Sequence, residues 1–204
     1  MYNNTFLLLN GTPESANKLQ GADYIVCADG AYNWARKLCK PNAIVGDMDS
    51  VQGLPSDLIV ERYSKDKDYT DGHLAMQHLL KMHPTKITIL GARGGRADME
   101  FFNYFLLCYC TEQLQIVMDA GTQWIELANG NFKRKVDKNS KVSLSPFNGS
   151  VHIKYSKGLK YCLDDTEYFA NGIAPVSNIA LQNSFEIQVA KGMALVFYSK
   201  LQNL

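Results

Sequence analysis

Four short segments of this chain carry side chains suited to metal and phosphate chemistry: Asp29-Gly30, Gly46-Asp47-Met48-Asp49-Ser50, Lys65-Asp66-Lys67-Asp68-Tyr69-Thr70-Asp71 and Gly91-Ala92-Arg93-Gly94-Gly95-Arg96-Ala97-Asp98. Carboxylates gathered in one pocket repel and raise one another's pKa unless a cation is supplied. Mg²⁺ is the usual supply, since it takes an oxygen shell of one or two carboxylates, waters and substrate phosphates. Asp47 and Asp49, two apart on a turn, can serve the metal directly and through a bound water. Lys65, Lys67, Arg93 and Arg96 suit phosphate oxygens, the arginines bidentately. Gly91, Gly94 and Gly95 let backbone amides approach a phosphate where a helix begins. The combination implies a metal-nucleotide substrate.

Each segment has a plainer reading. An isolated Asp-x-Asp is often a turn or cap, the Gly-Gly-Arg run matches neither the Walker pattern nor the dinucleotide fingerprint, and 65–71 alone reads as a solvated loop. What joins them is their placement. Thr5–Leu9, Tyr24–Ala28, Ala43–Val45, Leu58–Val60 and Lys86–Leu90 read as buried strands. Ala31–Leu38, Asp71–Met82 and Ala97–Cys110 read as helices, the second capped by Thr70 or Asp71. Every acidic segment therefore lies just past a strand C-terminus, the edge of a doubly wound sheet where ligands bind.

After about residue 112 the helical period disappears. Strand candidates follow directly at Leu114–Met118, Thr122–Leu127, Phe132–Val136, Lys141–Ser145, Val151–Tyr155, Phe185–Val189 and Met193–Tyr198. Asn129-Gly130 and Lys191-Gly192 are the hairpin signals. The expected fold is a Rossmann-like α/β domain with a mostly parallel sheet over 1–120, then an all-β sandwich over 121–204.

The 204 residues carry a net charge of +1, which gives no general attraction to nucleic acid or anionic membranes. Five cysteines without a Cys-x-x-Cys argue against a disulfide framework or zinc ribbon and fit a reducing cytoplasm. No apolar run approaches the ~20 residues of a membrane span. His73, His78 and His83, each five apart, drift round a helix and read as surface residues rather than a zinc pair. Lys133-Arg134-Lys135 reads as a solvated strand face.

Ala28-Asp-Gly-Ala31, Gly46-Asp-Met-Asp-Ser50, Lys67-Asp-Tyr-Thr-Asp71, Gly94-Gly-Arg-Ala-Asp98 and Asn103, in this order, resemble the thiamine pyrophosphokinase family. Gly158-Leu-Lys-Tyr161 and Ser177-Asn178 resemble its thiamine-side motifs. The resemblance implies transfer of the β,γ-diphosphate of ATP to the thiamine hydroxyl, with AMP leaving, in a homodimer whose active sites lie at the subunit interface. It makes Asp47, Asp49, Asp71 and Asp98 the catalytic and Mg²⁺-binding carboxylates. Asp29, Lys67, Asp68, Thr70, Arg93, Gly94, Gly95, Arg96 and Asn103 would contact ATP, and Tyr161, Ser177 and Asn178 thiamine. Met99 stands where the family often has His, so no role carries over there. Neither Trp34 nor Trp124 lies in the thiamine motifs, so Tyr161 or Tyr168 would supply the aromatic wall. Two alternatives remain: an aspartate-nucleophile phosphatase built on Asp47-Met48-Asp49, and a catalytically silent nucleotide sensor.

Overall fold

The computed structural model describes residues 2–13, 16–51 and 53–201. The chain divides into two compact units, Met1–Gly121 and Thr122–Leu204. Together they hold parallel and antiparallel strand pairs and few helices. Among the described residues no helix is long and apolar enough to cross a membrane.

Among the described residues of the first unit six strands run β1 (Thr5–Leu8), β2 (Tyr24–Ala28), β3 (Ala43–Gly46), β4 (Ile59–Arg62), β5 (Lys86–Leu90) and β6 (Gln115–Asp119). Their spatial order is β6-β5-β1-β2-β3-β4, and every pairing is parallel. β1, β2 and β3 are buried along their whole length, which is why their sequences are continuous apolar runs rather than alternating ones. The chain steps outward from β1 to β4 on one side, then crosses to β5 on the other. The strand order thus reverses between β1 and β5, and the loops that follow those two strands lie side by side at their C-terminal ends.

Helix α2 (Asp71–Leu80) is the long one, capped by the Thr70 side chain, which accepts from the His73 amide. It buries Leu74, Ala75, Met76 and Leu79. The other expected helices are shorter than their sequence pattern. α1 spans only Tyr32–Ala35 after a 3₁₀ turn at Asp29–Ala31, and the chain continues in turns towards Pro41, which keeps Lys40 out of helix. α3 covers Ala97–Asn103 and tightens into a 3₁₀ turn over Tyr104–Tyr109. His78 corrects the surface reading of the histidines. It is buried, stacked on Tyr24, 3.2 Å from the Tyr24 hydroxyl and 2.8 Å from Glu61 Oε1.

The second unit holds β7 (Gln123–Ala128), β8 (Asn131–Lys135), β9 (Lys141–Lys157), β10 (Thr166–Phe169), β11 (Asn178–Ile179) and β12 (Ser184–Ser199), all antiparallel. Two long strands organise it. β12 pairs with β8 along Ser184–Gln188, with β7 along Ala194–Ser199, and with β9 over most of its length. Phe132, Phe185 and Tyr198 meet in its core at centroid distances of 5.9 to 6.4 Å. The strands expected at Lys141–Ser145 and Val151–Tyr155 are one strand, and so are Phe185–Val189 and Met193–Tyr198.

Lys191-Gly192 is therefore a bulge inside β12, not a hairpin. Gly192 has φ +77°, and a Cβ there would lie 2.0 Å from the Ser150 carbonyl oxygen of β9. At this bulge the residue that steps out of register needs both the left-handed conformation and the missing side chain. Gly192→Ala should destabilise the protein by ~1–3 kcal/mol, whereas Gly130→Ala, which meets no atom within 4 Å, should be nearly neutral. Equal denaturant midpoints for the two variants would remove the bulge from the account.

Candidate active site

β2, β3 and α2 each deliver one carboxylate to the same point. Asp29 follows β2 directly and sits at φ 38°, a strained left-handed conformation for which Asp is among the better-suited residues. Asp47 follows Gly46 at the end of β3, and Asp71 opens α2. One carboxylate oxygen from each lies within 4.8 Å of the others. Gly46 permits this approach. A Cβ there would stand 2.8 Å from Asp29 Cβ and 3.0 Å from Asp71 Oδ1.

Such a cluster carries an electrostatic cost. Asp29 is only 8% exposed, and its Oδ1 has no hydrogen-bond partner among the described residues. Burial pushes its carboxyl upward; a hydrogen bond with Ser50 opposes this, and the charges of Asp71 and Asp47 add to the rise. The compensating charge is Lys67, whose Nζ lies 2.8 Å from Asp71 Oδ1 and 3.5 Å from Asp47 Oδ2. Burial alone would depress the Lys67 ammonium, but the Asp71 and Asp47 carboxylates outweigh it and hold its pKa above the ordinary value.

Beside the cluster opens a cleft of about 330 Å³, lined by the loops after β1, β2 and β5 and by α3. Its floor is backbone. The Gly11 amide donates to the Gly91 carbonyl at 2.8 Å and Thr12 to Arg93 at 2.7 Å, so the β1 and β5 loops are laced together. A Cβ on Gly11 would lie 2.1 Å from the Arg93 carbonyl oxygen, so only glycine allows that contact. Arg93 Nε donates to Glu100 Oε1 at 3.2 Å, and Glu100 Oε2 accepts from the Gly94 amide at 3.3 Å. Asn103, buried, donates to the Ala92 carbonyl and fastens α3 to the β5 loop.

The family model for the catalytic domain of thiamin pyrophosphokinase matches residues 16–118, and that for its vitamin B1 binding domain matches residues 131–194. The chain belongs to the thiamin pyrophosphokinase family. A thiamine pyrophosphokinase of Bacillus subtilis is 28% identical over 141 residues, 67% of this chain and 65% of that relative, so the match spans just under two thirds of its length. The fold is that of solved thiamin pyrophosphokinases. The B. subtilis structure superposes with a TM-score of 0.83 at 22% identity, covering 98% of this chain and 100% of the other. Those from Geobacillus thermodenitrificans (0.81, 21%, 98% and 98%) and Candida albicans (0.80, 18%, 97% and 89%) are similar.

Within this thiamin pyrophosphokinase family member the sequence-derived residues fall into groups. Asp29, Asp47, Asp71 and Lys67 converge, with Arg93, Gly95, Arg96 and Asn103 lining the adjoining cleft. Asp49 turns to Lys65, 3.0 Å away, and Asp98 to Arg96, 2.6 Å away; both carboxylates are exposed and lie outside the cluster. Asp68 and Gly94 are exposed, and Thr70 Oγ1 is engaged as the α2 cap. Tyr161, Ser177 and Asn178 lie in the second unit. There Asn178 is buried, accepting from the Tyr161 amide at 2.9 Å and donating to its carbonyl at 2.8 Å, while the Tyr161 ring stays 57% exposed. Tyr168 is buried in the core of that unit, which leaves Tyr161 as the accessible ring of the two.

Sequence reasoning missed Asn10-Gly11-Thr12, Glu100 and the steric role of Gly46. Asn10, Gly11 and Thr12 lie past a strand end like the others, but none of the three carries a charge and so they gave no chemical signal. Replacing Asp29 by Asn, which also tolerates the left-handed conformation, removes a buried charge. A raised folded-state pKa means that Asp29 favours folding below the unfolded carboxyl pKa and loses that contribution as pH rises through the folded value. In chelator at pH 7, Asp29→Asn should therefore melt higher than the wild type, and the gain should vanish at about pH 4 and below. A lower melting temperature at pH 7 would contradict the assignment of Asp29 as the electrostatically strained member.

Proposed function

We propose that this protein transfers the β,γ-diphosphate of ATP to the hydroxyl of thiamine, releasing AMP and thiamine diphosphate. The observation that carries the reading is the Asp29, Asp47 and Asp71 cluster with Lys67 at the rim of a glycine-floored cleft, placed where the strand order reverses. Ligands of doubly wound sheets bind at that crevice. We take the first unit as the Rossmann-like ATP domain and the second as a sandwich that supplies the thiamine contacts.

The cluster fits a Mg²⁺ ion. Its oxygens lie within 4.8 Å, near the ~4.2 Å separation of opposite ligands in an octahedron of ~2.1 Å bonds, and Asp29 Oδ1 is a buried oxygen that awaits a partner. Asp29, Asp47 and Asp71 would hold the ion, whose charge would offset that accumulating on the transferred phosphates. Lys67 and Arg93 would bind phosphate oxygens, with Glu100 fixing the direction of the Arg93 guanidinium. Asp98 would orient Arg96 over the cleft, and Asp49 would hold Lys65 at its edge. An aspartate of the cluster would accept the thiamine hydroxyl proton during in-line attack on the β-phosphorus. Positioning and charge stabilisation supply the rate, because this transfer needs no covalent intermediate.

On the thiamine side, Asn178 would act through Tyr161, pinning its backbone so that the exposed ring can meet the cationic, aromatic substrate, an attraction of about 0.5–2 kcal/mol. Ser177 would add a polar contact. Exposed Phe101 and Phe102 on α3 and Phe169, Ile173 and Val176 in the second unit support assembly as a homodimer with its active sites at the interface, since apolar surface of this kind favours burial. Action in the cytoplasm accords with five free cysteines.

Incubation with Mg-ATP should yield AMP and thiamine diphosphate in equal amounts, and neither without thiamine. Phosphate released in the absence of thiamine would instead indicate the phosphatase. Asp71→Asn should lower kcat by about 10²-fold or more while leaving the circular dichroism spectrum unchanged; near-normal turnover would remove Asp71 from the mechanism.

A further inference from the structure

The geometry points to Lys67 as a resident counter-cation: its ammonium occupies the carboxylate cluster and competes with a bare divalent ion, so that metal enters together with nucleotide phosphates. This rests on the metal-dependent reading above and adds an order of binding to it.

Lys67 Nζ contacts two of the three clustered carboxylates, at 2.8 Å to Asp71 Oδ1 and 3.5 Å to Asp47 Oδ2. Its side chain is only 14% exposed, so water screens this attraction poorly. Asp71 Oδ1 is also the oxygen crowded against Gly46, on the inner side of the cluster. An ammonium and a divalent ion cannot both sit against that oxygen without strong repulsion across a few ångströms. Lys65 provides an internal comparison. It belongs to the same loop but is exposed and bound to Asp49, outside the cluster.

Lysine suits this duty because its charge rides on a flexible four-carbon stem. Displaced from Asp71, the ammonium needs another anion. A free metal ion brings none, whereas a metal-nucleotide complex brings phosphates into the adjoining cleft. The cluster therefore stays neutralised until both arrive, and metal and nucleotide affinities become coupled in both directions.

The test is Mn²⁺ binding to the full chain without nucleotide, followed by paramagnetic resonance. Lys67→Met should bind Mn²⁺ about tenfold or more tightly than the wild type, Lys65→Met should stay within about threefold, and Asp71→Asn should bind more weakly. Adding ATP should strengthen Mn²⁺ binding more in the wild type than in Lys67→Met. Lys67→Gln gives the same reading should the methionine variant fail to fold. Unchanged or weaker Mn²⁺ binding in the Lys67 variants, equal tightening in Lys65→Met, or equal ATP coupling in wild type and variant would overturn the proposal. Because no turnover is measured, these outcomes are independent of the product assay: tighter Mn²⁺ binding in a protein that makes no thiamine diphosphate would leave the counter-cation standing and remove the activity.

Discussion

Three carboxylates from three different elements share a space a few ångströms across, and the first unit is arranged around making that tolerable. Their mutual repulsion and the burial of Asp29 oppose folding. What holds them is backbone that leaves no alternative: strand β2 delivers Asp29, Gly46 removes the atom that would force Asp29 and Asp71 apart, and the Thr70 cap fixes the first turn of α2. Lys67 then supplies the charge that packing cannot. Charges held in place by backbone before any substrate arrives are the preorganisation that charge-stabilised phosphoryl chemistry requires.

The second unit solves a different problem with similar means. Glu126 is almost fully buried, and its carboxylate accepts from the Arg134 guanidinium and from the Tyr198 hydroxyl. Arg134 also covers the Phe132 ring, 4.2 Å from its centroid. Burial, then the Glu126 charge, pushes the Tyr198 hydroxyl strongly upward, so it stays protonated and donates. A buried ion pair adds little net stability but is costly to break, and this one spans β7, β8 and β12, fixing how those strands meet. The middle of the Lys133-Arg134-Lys135 run is thus structural, while its flanking lysines remain solvated.

Legibility in the sequence followed the range of the signal. β1, β2, β3 and β5 announce themselves because strands buried on both faces need unbroken apolar runs, and α2 because its cap and period are local. The length of β12 was hidden because Lys191-Gly192 looks like a turn, and that of β9 because its partner bulge lies opposite; whether a glycine ends a strand or bulges it depends on the partner strand. His78 misled for the same reason: its burial is decided by Tyr24 and Glu61, 54 and 17 residues away.

The sequence by itself determined the inventory: acids, bases and glycines after successive strands, the parallel order of the first unit, the all-β character of the second, and motifs specific enough to indicate the family. These are written in residue type and spacing, which need no knowledge of distance. Only the tertiary structure decided which acids act together. Asp47 and Asp49 are two residues apart, yet one enters the cluster and the other faces Lys65, because Met48 turns the chain through a left-handed conformation at φ 65°. Asp29 and Asp71 are 42 residues apart and meet across a missing methyl group at Gly46. Carboxylate interactions fall off over a few ångströms, and the backbone path that sets those ångströms is fixed only when all the strands are in place.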